Sequence, residues 1–175
     1  KNKKGWINFN PIMTWEKGNN QAKEDIFGDN PETGRKGRLL FAKGESLDLF
    51  LFPKDALTRV FNNIVANAQA HGFTDKKRSD YQLRFSWHVD GLANIIEIEN
   101  NGTAIPADRD TSTLLEYGVS TALHHEGHNG IGCNEIDDIM RRYDGKVEIV
   151  SSPGNEFTVK YVLTFNRINN VRNPF

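Results

Sequence analysis

Two stretches of this chain alternate apolar and polar residues with a period of two, and that limits the fold more than any other feature. Leu83, Phe85, Trp87 and Val89 alternate with Gln82, Arg84, Ser86 and His88, and Phe157, Val159, Tyr161, Leu163 and Phe165 do the same later. Successive side chains of a strand leave opposite faces, so both stretches predict half-buried strands. Asp90-Gly91 is a hairpin signal, and residues 93–99 form the returning strand. Residues 147–150 make a further strand, with Ser152-Pro153-Gly154-Asn155 as the turn before the last one. Residues 38–42 and 47–52, parted by Lys43-Gly44-Glu45-Ser46, predict two more strands around a tight turn. Strands joined by hairpins make a largely antiparallel sheet.

Two segments carry the helical period instead. From Pro53 to Gly72, Leu57, Phe61, Ile64 and Ala68 line one face. Pro53 stands in the first turn, where its missing N–H costs nothing, and Gly72 is a helix stop. Ile136, Ile139, Met140 and Tyr143 line a second helix that ends at Asp144-Gly145. Between them, residues 100–133 are rich in Gly, Asn, Thr and His, with a short apolar island at Leu114, Leu115, Tyr117 and Val119. A stretch of that length without clear regular structure is usually functional or mobile. The expected architecture is α+β, a two-layer sandwich whose mixed, mostly antiparallel sheet is covered on one face by helices. A chain of 175 residues predicts one domain, here 39–166, with an arm at 1–38 and a loose tail at 167–175.

Composition removes several classes of function. Lys plus Arg number 22 against 23 Asp plus Glu, so the basic excess usual in a nucleic-acid module is missing. No apolar run approaches the ~18 residues of a membrane helix, so no membrane contact by this segment is expected. Cys133 is the single cysteine, which excludes an internal disulfide framework and points to a reducing, cytoplasmic setting. No secretory signal stands at the start. The chain begins Lys-Asn-Lys-Lys rather than Met, and a piece of a longer protein is the expectation.

Three features carry candidate chemistry. Arg59, Asn63, Asn67 and His71 recur every four residues and form a polar stripe on the first helix. The stripe fits either a solvated face or a row of amide oxygens aimed at a metal or phosphate; hard cations such as Mg²⁺ take oxygen ligands. Next, the strand ending at Asn100-Asn101-Gly102 is either a simple turn or a side-chain acceptor at the edge of a pocket. Finally, Gly127-His128-Asn129-Gly130-Ile131-Gly132 precedes the second helix, as a connector or as an anion cradle at a helix N-terminus. His124, His125 and His128 have a spacing compatible with chelation, but no other ligand cluster accompanies them. Cys133 fits a buried, inert thiol better than a reactive one.

Taken in order, these features resemble the nucleotide-binding domain shared by sensor histidine kinases, DNA gyrase B, MutL and the heat-shock chaperone ATPases, and most closely the histidine-kinase branch. Residues 60–71, Val-Phe-Asn-Asn-Ile-Val-Ala-Asn-Ala-Gln-Ala-His, look like its N box. Residues 100–106, Asn-Asn-Gly-Thr-Ala-Ile-Pro, look like its first glycine box. Residues 115–121 resemble its aromatic box, and Gly127 to Gly132 its second glycine box. The resemblance implies a Bergerat-type ATP-binding fold, with ATP and Mg²⁺ as cofactors. Asn67 would coordinate the Mg²⁺ that bridges the phosphates, and His71 would sit near them. Asn63 stands where hydrolysing relatives carry a glutamate; an amide takes no proton at neutral pH, which disfavours hydrolysis. Asn100, Gly102 and Ile105 would form the adenine pocket, with Tyr117 beside it. Gly127, Gly130 and Gly132 would let a lid and a helix N-terminus approach the phosphates.

Some positions depart from the family pattern. Asn100 stands where Asp is usual, and Ala104 replaces the second glycine of its box. Asn155 and Glu156 replace the Gly-Thr pair before Phe157. The implied function is γ-phosphoryl donation from ATP to a histidine on a separate dimerisation segment of the same or a partner chain, with a response regulator as a further partner. The alternatives are a catalytically degenerate nucleotide-binding or interaction module on the same scaffold, or an anti-sigma-type protein-serine kinase. The sequence around 67–72 also resembles that last branch.

Overall fold

The computed structural model of the protein describes residues 37–41, 52–116 apart from 76 and 79, and 131–166. Five strands form one sheet: β1 (Gly37–Phe41), β2 (Tyr81–Asp90), β3 (Ala93–Asn100), β4 (Gly145–Ser151) and β5 (Val159–Asn166), in the spatial order β1-β2-β3-β5-β4. β2, β3, β5 and β4 pair antiparallel, and β1 joins β2 in parallel at the edge. The helices are α1 (Lys54–Asn67) and α2 (Ile131–Arg142).

The alternation seen in the sequence becomes cross-strand rows on one face. Phe85, Ile98, Tyr161 and Ile149 stand opposite one another, as do Trp87, Ile96, Leu163 and Val147. Leu57, Val60, Phe61, Ile64 and Val65 of α1 and Ile136, Ile139 and Met140 of α2 pack over these rows. Phe61 meets Phe85 edge-on at 5.7 Å between ring centres. The other face is polar, where Arg84 pairs with Glu99 at 2.6 Å and Lys160 bridges Glu97 and Glu99.

The structure departs from the sequence reading in five places. β1 runs parallel to its neighbour, because its pairing partner is the distant β2; the expected strand at 47–52 lies outside the described residues except for Phe52. Phe52 is not in a strand, and its ring packs on Tyr143 and Phe165 with centres 5.1 Å apart in each case. α1 does not stay α-helical to Gly72: after Asn67 it opens into a π-helical turn, Ala68–Gly72, in which Phe73 N–H donates to the Ala68 carbonyl at 2.8 Å. Within the segment read as irregular, Thr111–Leu115 forms a 3₁₀ turn, capped by Asp110 accepting from Ser112 N–H, that buries Leu114. Phe157 precedes β5 instead of joining it, and its ring carries the Arg84 guanidinium 3.9 Å above its centre. No helix among the described residues is long and apolar enough to cross a membrane.

Candidate nucleotide site

The polar stripe of α1 faces the start of α2. Asn63, half-buried, donates from Nδ2 to Oε2 of Glu135 at 2.9 Å, and Arg59 forms an ion pair with the same carboxylate. Asn67, one turn on, donates from Nδ2 to Cys133 Sγ at 3.3 Å and to the Tyr161 hydroxyl at 3.4 Å. Its Oδ1 has no partner among the described residues. That oxygen lies over Gly132, where a Cβ would stand only 3.0 Å from it. The bare backbone of Gly132 is thus what lets α2 approach the Asn67 amide. Burial pushes the Cys133 thiol up, against the lowering effect of its bonds to Tyr161 and Asn67. Burial, with the neighbouring sulfur, pushes the Tyr161 phenol well up as well. Both groups are therefore neutral near pH 7.

The end of β3 forms the other part of the site. Asn101 is a clamp: its Oδ1 accepts from Gln82 N–H at 2.7 Å and its Nδ2 donates to the Asp80 carbonyl at 2.9 Å. Asn100 lies in the row of Leu83 and Val159, on the helix-covered face, and is 4% exposed. Gly102 meets the π-helical turn: a Cβ on it would lie 2.5 Å from the Gly72 carbonyl oxygen, so only glycine fits. Thr103 N–H donates to that oxygen at 2.8 Å. Thr158 locks the same loop, its hydroxyl donating to the Gly102 carbonyl at 2.7 Å and its N–H to the Asn100 carbonyl at 2.9 Å. Ile105 is half-buried against the core, and its carbonyl accepts from Ser151 Oγ at 3.0 Å.

Of the residues singled out from the sequence, Asn63, Asn67 and Gly132 come together between the two helices. Asn100, Gly102 and Ile105 gather at the end of β3, and His71 lies in the π-helical turn joining the two groups. Tyr117, Gly127 and Gly130, and the histidines at 124, 125 and 128, lie outside the described residues. Among the described residues no cluster of His, Cys, Asp and Glu could hold a metal. The single amide oxygen of Asn67 nevertheless fits Mg²⁺, which keeps several waters of its own and needs few protein ligands. Glu135, Tyr161 and Thr158 were not legible as site residues. Each belongs to an ordinary amphipathic pattern, and only the packing of α2 and β5 brings them in. Cys133, read as inert packing, is a direct neighbour of Asn67.

Residues 53–165 match the family model described as "Histidine kinase-, DNA gyrase B-, and HSP90-like ATPase". The chain is 31% identical over 122 residues to the sensory histidine kinase/phosphatase NtrB of Vibrio alginolyticus, covering 65% of this chain and about a third (34%) of that protein. Its fold is similar to the catalytic domain of the histidine kinase ThkA, with a TM-score of 0.66 at 14% identity over 91% of this chain and 93% of that one. It is also similar to the mycobacterial sensor histidine kinase MprB, with a TM-score of 0.60 at 11% identity over 89% and 94% of the two chains. The chain belongs to the histidine kinase-, DNA gyrase B- and HSP90-like ATPase family and is an ATP-binding domain of the histidine-kinase type.

Proposed function

We propose that this domain is the catalytic part of a larger sensor histidine kinase, working in the cytoplasm. It would donate the γ-phosphoryl group of ATP to a histidine on a separate dimerisation segment, from which a response regulator would take it. The observation that carries this reading is the Asn67 side chain. Its amide nitrogen is spent on Cys133 and Tyr161, which turns its oxygen toward Gly132 with no partner among the described residues. Asn67 Oδ1 is thus the atom that would hold Mg²⁺, which when bound neutralises charge on the phosphates. The N-terminus of α2, with Gly132 in its first turn, offers backbone N–H groups to the same anions. Gly102, Gly72 and Thr158 fix the shape of the base pocket. Phosphoryl transfer is largely positioning and charge neutralisation, so a strong base is not required. Asn63 cannot accept a proton, and the Glu135 carboxylate is engaged by Arg59 and Asn63. Neither is therefore set up to activate water, which suits a kinase rather than a hydrolase.

Thermal melting with and without ATP and Mg²⁺ tests the proposal. Nucleotide at ~100 times its dissociation constant adds about 2.7 kcal/mol, or roughly 5–10 °C for a domain of this size. Asn67→Ala is expected to lose the Mg²⁺-dependent part of the shift. No shift at millimolar nucleotide would favour the degenerate module. In the full-length protein, acid-labile phosphate on histidine is expected from ATP, and none in the Asn67→Ala variant.

A further inference from the structure

Asn100 is a polar side chain on the apolar face of the sheet, 4% exposed, in the row of Leu83 and Val159. Its Oδ1 accepts a hydrogen bond from Gly102 N–H at 3.1 Å. A backbone N–H can only donate, so that bond fixes which end of the amide is oxygen. Gly72 closes over the same oxygen, since a Cβ on Gly72 would lie 3.1 Å from it. The other end of the amide, Nδ2 with two N–H donors, has no partner among the described residues. Buried donors without an acceptor are rare in folded proteins, and each calls for a water or ligand that supplies one.

We infer that Asn100 sets the base preference of this site by presenting an N–H donor to the nucleobase, so that the pocket takes a 6-oxopurine triphosphate at least as well as ATP. The inference rests on the nucleotide site proposed above. A 6-amino purine offers donors at the position where a 6-oxo purine offers a carbonyl acceptor. A carboxylate at position 100 could only accept, and would favour the amino group. The amide reverses that polarity. Flipping the amide to put oxygen where Nδ2 stands would break the bond from Gly102 N–H and point an NH₂ group at that donor. Facing O6 of a 6-oxo purine, the amide keeps the Gly102 bond and satisfies Nδ2 together.

Titration calorimetry of the unmodified domain with Mg²⁺ and three probes tests this: ATP, inosine triphosphate and the triphosphate of purine riboside, which bears hydrogen at position 6. Inosine triphosphate is expected to bind at least as tightly as ATP, and at least fivefold more tightly than the purine riboside triphosphate. ATP binding more tightly than inosine triphosphate overturns the inference, as does equal affinity for all three. Asn100→Asp, nearly isosteric and still able to accept from Gly102 N–H, is expected to swing the ratio at least tenfold toward ATP. An unchanged ratio also overturns it. These outcomes leave the nucleotide site standing, whereas failure of all three probes to bind at millimolar concentration brings down that site and this inference together.

Discussion

At the scale of single residues, the site is decided by which end of each amide is occupied. Asn63 and Asn67 are chemically identical and one turn apart, yet one is spent on a carboxylate and the other keeps a free oxygen among the described residues. Sequence spacing shows the shared stripe but not this difference, which depends on Glu135, Cys133 and Tyr161 arriving from elsewhere in the chain. Asn63→Asp isolates the first contact. It sets a carboxylate about 3 Å from that of Glu135, where like charges cannot both ionise freely, so at least one folded-state pKa rises. A raised carboxyl pKa stabilises fully below the unfolded value of about 3.9 and is lost as pH climbs through the folded value. The variant is therefore expected to match the parent near pH 3 and to be roughly 1–2 kcal/mol less stable at pH 7, read from urea midpoints. Glu135→Gln in the same chain should recover most of that loss. Cys133 gives a second residue-level prediction. With its thiol pushed up by burial, the thiolate fraction at pH 8 falls below that of a free cysteine, and the thiolate is the nucleophile. Iodoacetamide should therefore label the native domain at least tenfold more slowly than the urea-unfolded chain; equal rates would contradict the burial of that sulfur.

At the scale of elements, the decisive contact is between the π-helical turn Ala68–Gly72 and the loop after β3. A π turn inserts one residue into a helix, and such insertions are frequent at functional sites. Here it brings Gly72 against Gly102, close enough that the Gly72 carbonyl accepts from Thr103 N–H. Gly102→Ala pushes a methyl group into the backbone of Gly72, where nothing can rotate away. A cost of about 3 kcal/mol is expected, a melting temperature lower by roughly 6–12 °C, with nucleotide affinity falling too. Gly154 is the contrasting case: its φ of 91° favours glycine, but open space surrounds it. Alanine there should strain the turn locally and leave nucleotide binding unchanged. The period-two rows were legible because strand side chains alternate whatever the neighbours are. The helix faces were legible for the same reason at their own period. The π turn and the parallel pairing of β1 were not. Both arise from contacts between segments far apart in sequence, and Ala68 to Gly72 carries no local signal separating a π turn from a simple helix end.

At the scale of the whole molecule, the proposed nucleotide site and the core share one layer, since Tyr161 belongs at once to a core row and to the cluster holding Asn67. Charge introduced there is consequently a threat to the fold and not only to the site, and alkaline pH introduces it. The folded-state pKa values of Cys133 and Tyr161 are both raised, from ordinary values of 9.0 and 10.0. Lys160, held by Glu97 and Glu99 against its own desolvation, is raised from 10.5. For each, the folded state keeps its proton at a pH where the unfolded chain releases it. Stability from these groups is thus fully present below pH 9.0 and is lost as pH rises beyond it. A group wholly inside its window contributes a slope of about 1.4 kcal/mol per pH unit. Urea midpoints should be flat from pH 7 to 8.5 and then fall, with the steepest decline above pH 10, where the unfolded tyrosine ionises. Tyr161→Phe removes the phenol and should flatten that steepest part while leaving the earlier decline, set by Cys133, in place. A midpoint that stays level through pH 10.5 in the parent would mean that water reaches the Tyr161 hydroxyl, and the layer joining core to site would then be open.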